Sequence, residues 1–142
     1  VDGVADLHAL LSASKISGPY VLVAHSLGGT IAKLYASTYP DQVVGLVLVD
    51  PFSEFLKTSL SPAQWMHFTR EAINKQFEFG AGGAETWPAW REAHSQLAEL
   101  LHARHVTETN SSHGIQLEQP QVVIDAIRQV VDAVRRPETW NR

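Results

Sequence analysis

Tyr20-Val21-Leu22-Val23-Ala24-His25-Ser26-Leu27-Gly28-Gly29 is the stretch on which the fold turns. Tyr20 to Ala24 is a short, wholly apolar run, as expected of a strand covered on both faces. From Leu27 to about Tyr39 the spacing changes: Ile31, Leu34, Tyr35 and Thr38 fall on one face of a helix, and Pro40 lies just past its end. Ser26 therefore sits on a turn between a strand and a helix. A second apolar run, Val43 to Val49, stops at Asp50-Pro51. Two strands with a helix between them make a right-handed βαβ unit with parallel strands.

A turn of this kind can do chemistry. A serine hydroxyl is a poor nucleophile until a base takes its proton and its surroundings stabilise the oxyanion formed on attack. A sharp strand-to-helix turn exposes the hydroxyl, and the helix N-terminus supplies backbone N–H groups and positive potential. Such a turn needs small residues two before and two after the serine, here Ala24 and Gly28, and Gly29 lets the helix lie close to the strand. The usual pattern is G-x-S-x-G, and Ala24 is a mild departure from it. The alternative is a serine that merely caps the helix.

Outward from this unit, residues 4 to 13 read as a helix with Val4, Leu7, Leu10 and Leu11 on its apolar stripe, and Ser17-Gly18-Pro19 breaks the chain. Ser61-Pro62 reads as a helix start, with residues 62 to 75 helical. Phe79 to Ala84 is a glycine-rich break, and residues 88 to 102 form another helix opening on Pro88. Arg104 to Thr109 is read as a short strand. Pro120 opens a last helix in which Val123, Ile127, Val130 and Val134 repeat at helical spacing. The expected sheet has about three strands.

Composition narrows the possibilities. The 142 residues suit one domain with one core, expected over 1–142, and 44% of them are hydrophobic. Lys and Arg total 11, form no run and leave a net charge of −4, so nucleic acid is not an expected partner. There is no cysteine, hence no disulfide or thiolate chemistry. No apolar run approaches the roughly 18–20 residues of a membrane span. The opening Val1-Asp2-Gly3-Val4-Ala5-Asp6 lacks a signal-peptide pattern, which suggests a cytoplasmic location, and it lacks a starting Met. His102 and His105 have an H-x-x-H spacing without further ligands nearby, a poor metal site, so no metal or cofactor is expected.

The run Tyr20 to Pro51 resembles the α/β-hydrolase superfamily. Asn110-Ser111-Ser112-His113-Gly114-Ile115-Gln116-Leu117-Glu118-Gln119-Pro120 and the helix after it resemble the loop that carries the family's catalytic histidine. The two regions occur in the family's order, and esterase- and lipase-like members with a lid are the nearest in pattern. The resemblance implies a reduced α/β-hydrolase-like parallel sheet flanked by helices, with a helical lid-like insertion over 52–90. It implies Ser26 as nucleophile, His113 as general base and the Leu27 amide as an oxyanion donor. An unperturbed histidine pKa of about 6.5 suits the base role. Asp50 ends the strand after the nucleophile helix, at the edge where catalytic side chains gather, and is the leading candidate for the acid; Glu54 and Glu85 are the alternatives.

The family's longer N-terminal half and its second oxyanion donor have no counterpart here, so the chain reads as a truncated or minimal member. The nucleophile strand is then expected to expose an apolar edge that pairs with another copy in a homo-oligomer. Aromatic residues crowd the 52–90 stretch. They are either core or an apolar pocket over Ser26, lined by Trp65, Phe68 and Trp87 with His25 near the nucleophile. His25 is otherwise read as structural. The expected reaction is hydrolysis of small hydrophobic carboxylic esters through an acyl-enzyme. The alternatives are an amide, lactone or thioester substrate for the same triad, or a hydrolase-like binding or assembly module with little activity.

Overall fold

A computed structural model of the chain describes residues 2–66 and 83–140. In order they form α1 (Asp2–Ala13), β1 (Tyr20–His25), α2 (Gly28–Thr38), a 3-10 turn (Pro40–Gln42), β2 (Val43–Val49), α3 (Leu56–Ser59), α4 (62–66), α5 (Gly83–Leu100), α6 (Ile115–Glu118), α7 (Pro120–Arg135) and a closing 3-10 turn (Pro137–Thr139). They divide into two compact units. The first holds residues 2–52 and 115–140, the second the described part of 53–114.

The first unit is built on β1 and β2, which pair in parallel from Val21 opposite Gly45 to His25 opposite Val49. Among the described residues this sheet has two strands, so the expectation of about three is corrected. Period-2 alternation gives each face its own helix. A Cβ added at Gly45 would lie 2.5 Å from Val130 Cγ1, so α7 presses on the face of Gly45, Val47 and Val49. On the other face, a Cβ added at Gly29 of α2 would lie 3.8 Å from Leu48 Cδ2. Val47 and Val49 are buried under this cover, together with Val4 of α1 and Ala32 and Tyr35 of α2. Each buried valine contributes about 1.5–3 kcal/mol relative to exposure. Val23 of β1 is 48% exposed.

Tyr35 ties three elements together. Its ring is fully buried, and its hydroxyl donates to Gln42 Oε1 at 2.7 Å while His8 Nδ1 lies 3.2 Å away. The phenol proton is committed to Gln42, so His8 must carry its own on Nδ1 and donate to the phenol oxygen. The His8 ring stacks on Tyr39 at 4.2 Å. Burial, with Tyr20 and Tyr39 as secondary contributors, raises the Tyr35 phenol above its ordinary range.

The second unit is helical. The start of α4 is a capping box: the Gln64 amide donates to Ser61 Oγ at 3.3 Å, and Gln64 Oε1 accepts the Ser61 amide at 3.0 Å. Residues 67–75 of the expected helix lie outside the described residues, as do 79–82 of the expected break. Leu56 of α3, the following Leu60, and Ala93 and Leu97 of α5 are buried. Buried Ser53 donates to the Ala93 carbonyl at 3.1 Å and accepts the Phe55 amide at 3.3 Å, which leaves its hydroxyl satisfied.

α5 and the segment after it differ from expectation. α5 begins at Gly83, so Pro88 does not open it but lies inside it. A proline this close to the N-terminus forfeits a single bond, the one to the carbonyl of residue 84, and the helix runs on. Residues 104–109 carry no regular structure and form no strand. α5 ends in a Schellman motif: the Ala103 amide reaches Ala98 O at 2.8 Å, the His102 amide reaches Glu99 O at 3.1 Å, and His102 takes a left-handed φ of 51°. His102 is thus a terminator of the helix.

Candidate active site

Ser26 follows the last residue of β1 and adopts φ 55°, a left-handed conformation that costs a non-glycine residue about 1–2 kcal/mol. Three backbone bonds hold it there. Its N–H donates to Val49 O at 3.1 Å, and its carbonyl accepts the amides of Gly29 and Phe52, each at 3.0 Å. Leu27 is already helical at φ −60°, ψ −29°, and is 64% exposed. Among the described residues, Gly29 is the first after Ser26 whose amide meets a backbone carbonyl. The amides of Leu27 and Gly28 thus stand among the orphan donors of the α2 N-terminus, beside a partly buried Ser26.

The small residues around the serine divide the work unevenly. Among the described residues, a Cβ at Gly28 would touch only Ala24 Cβ, at 4.0 Å, an ordinary contact. A Cβ at Gly29 would come within 2.7 Å of Pro51 Cβ and 3.4 Å of Pro51 Cα. Gly29 is therefore the position where a side chain cannot fit, because the turn after β2 lies directly on α2. Lys33, one turn further along α2, donates from Nζ to Phe52 O at 3.5 Å.

Asp50 follows Val49 as Ser26 follows His25, and those two residues face each other in the sheet. The register thus brings Ser26 and Asp50 to neighbouring strand ends. Asp50 is also left-handed, with φ 40°, a conformation aspartate tolerates better than most residues. It is partly buried, as is His25. Alternation along β1 puts His25 on the face shared with Val21, and Ala24 on the face towards Gly28.

His113 belongs to the second unit. Its loop opens with Asn110 at φ 47°, is braced by Ser111 Oγ donating to Thr109 Oγ1 at 2.9 Å, and closes with the Gly114 amide donating to Ser112 Oγ at 3.3 Å. His113 is partly buried between these two small turns. Trp65 lies in α4 and is partly buried; Glu54 is exposed in the turn before α3. Glu85 and Trp87 lie in the first turns of α5. Phe68 lies outside the described residues. Ser26, Leu27, His25 and Asp50 are thus gathered in the first unit, whereas His113 and Trp65 are held by the second.

The second unit has a ring group that sequence reading did not anticipate. Trp90 meets His94 edge-on at 5.3 Å, and His94 meets His105 at 6.3 Å. Burial, then His94 and Arg91, push His105 below its ordinary 6.5. Arg91 pairs with Glu108 at 3.9 Å. The His94–His105 proximity joins a helix to an irregular segment, which no local spacing encodes. Among the described residues no three His, Asp or Glu side chains gather to hold a metal ion, and no helix is long and apolar enough to cross a membrane.

The family model described as alpha/beta hydrolase fold matches residues 2–123. The uncharacterised protein YqjL of Bacillus subtilis is 27% identical over 158 residues, covering 89% of this chain and 62% of that protein. The lipase LipV of Mycobacterium tuberculosis is 50% identical over 48 residues, covering 34% of this chain and 18% of that protein. An uncharacterised protein of Schizosaccharomyces pombe is 45% identical over 40 residues, covering 28% of this chain and 8% of that protein. The chain therefore spans less than two thirds of each of these relatives. No solved structure gives a significant match.

Proposed function

Because the chain belongs to the alpha/beta hydrolase fold family, we propose that its hydrolase activity runs through Ser26, on small hydrophobic carboxylic esters. The observation that carries this reading is the left-handed Ser26 at the junction of β1 and α2. A merely capping serine has no need of positive φ; a nucleophile elbow does. The likeness to a lipase over 48 residues, together with the aromatic residues of the 52–90 stretch, favours esters of hydrophobic acids or alcohols.

In the proposed reaction Ser26 Oγ attacks the ester carbonyl carbon while His113 takes the hydroxyl proton. The Leu27 amide donates to the oxyanion of the tetrahedral intermediate. Collapse breaks the C–O bond to the alcohol, which leaves with the proton from His113. Water, deprotonated by His113, then attacks the acyl-serine, and the carboxylic acid and free Ser26 result. Asp50 is the proposed acid: it holds the imidazole tautomer and stabilises the cation. Its support is its position at the strand end beside Ser26.

Turnover of p-nitrophenyl esters of graded acyl length by the wild type, Ser26→Ala, His113→Ala and Asp50→Asn tests this. The reading requires loss in the first two variants and a fall of at least about tenfold in the third. Turnover that survives Ser26→Ala would overturn it. Parallel assays on an anilide, a lactone and a thioester separate the ester reading from its alternatives. A folded wild type inert to all four would leave a binding module.

A further inference from the structure

The geometry points to a backbone clamp in which the turn after β2 positions the nucleophile, with Gly29 and Pro51 as its positioning residues; this rests on Ser26 being the nucleophile. Ser26 and Asp50 are two left-handed residues at adjacent strand ends, with φ 55° and 40°. The left-handed region is costly for serine and less so for aspartate, and the backbone bonds around them hold both residues in it. They do so reciprocally. The Ser26 N–H donates to the carbonyl just before Asp50, that of Val49, and the Ser26 carbonyl accepts the amide of Phe52, two residues after Asp50. The two backbone groups of Ser26 thus bracket the Asp50-Pro51 peptide.

The third side of the clamp is steric. Pro51 lies where a Gly29 side chain would be, and Gly29 itself donates to the Ser26 carbonyl at 3.0 Å. Lys33 Nζ reaches the Phe52 carbonyl and anchors the far end of the turn to α2. The Ser26 carbonyl consequently receives one bond from its own helix and one from the neighbouring strand's turn. Moving the turn moves the serine. An alanine at position 29 needs roughly 0.7 Å of displacement to bring its Cβ from 2.7 Å to ordinary contact at 3.4 Å with Pro51. Displacements on this scale are costly at a reacting centre, approaching about 100-fold for 1 Å.

The test measures steady-state ester kinetics and NMR amide exchange on the full chain. Gly29→Ala should lower kcat at least about tenfold and leave KM within about twofold. The Ser26 and Phe52 amides should exchange faster in the same variant. Gly29→Ala with Pro51→Gly removes the opposing Cβ, and should recover part of both kcat and protection. Gly45→Ala, strained at the α7 contact instead, should lower stability without changing kcat of the folded protein. Unchanged kcat and exchange in Gly29→Ala, or a double variant no better than the single, would overturn the clamp. If the wild type turns over no ester yet both amides loosen and recover as described, the nucleophile reading falls and the backbone clamp stands.

Discussion

Replacing Ser26 by glycine should make the protein more stable, and replacing it by alanine should not. At φ 55° any Cβ crowds the following carbonyl, at about 1–2 kcal/mol. Serine and alanine both carry that Cβ. Glycine does not, but it loses about 0.5–1 kcal/mol more backbone entropy on folding. The balance favours Ser26→Gly over Ser26→Ala by about 0.5–1 kcal/mol, equivalent to roughly 2–4 °C in Tm for a chain of 142 residues. The three backbone bonds at Ser26 use only main-chain atoms, so neither substitution removes one. Thermal unfolding followed by circular dichroism gives the comparison, and amide exchange in β1 and β2 assigns it to the first unit. Both variants should lack ester turnover. An alanine variant as stable as the glycine variant, or more so, would refute the argument that strain is stored at the elbow.

Further outcomes follow from other contacts. Tyr35→Phe strips the acceptor from His8 and the donor from Gln42 Oε1, and should cost about 1–3 kcal/mol, read as a lower urea midpoint. Gly45→Ala forces a Cβ to 2.5 Å from Val130 Cγ1 and should cost about 1–3 kcal/mol; adding Val130→Ala should recover much of it. His105 is held below its ordinary 6.5, so below that pH the unfolded chain binds its proton more readily than the folded one. Stability of the second unit should be fully present above about pH 6.5 and fall as pH drops towards the folded value, and His105→Asn should flatten the decline in denaturant titrations between pH 7.5 and 5.

The elbow was legible because its signals are local. A wholly apolar strand, a serine, small residues and an amphipathic helix succeed each other within twenty residues, and Val43 to Val49 is bounded by Asp50-Pro51. The limits of β2 were read to the residue for that reason. What escaped depends on distant partners. Gly29, not Gly28, is the tight glycine because Pro51 comes across from β2. The Tyr35 hydroxyl finds His8, 27 residues away, and no periodicity announces that pairing. Arg104 to Thr109 has residues that favour strands, but strand propensity is expressed only against a partner, and these residues pair with none among the described residues. Pro88 misled because proline is tolerated both at a helix start and one turn inside it. For the site, Ser26 and Asp50 share an edge that the βαβ pattern foretells, whereas His113 belongs to a separate compact unit.

Activation of Ser26 as a nucleophile is tested most directly by covalent labelling. The chain is incubated with a fluorophosphonate, and the adduct is located by mass spectrometry of its peptides. One stoichiometric adduct is expected, on Ser26, absent from Ser26→Ala and formed much more slowly in His113→Ala. A folded wild type that takes no label, or one labelled at another residue with Ser26 unmodified, would contradict it.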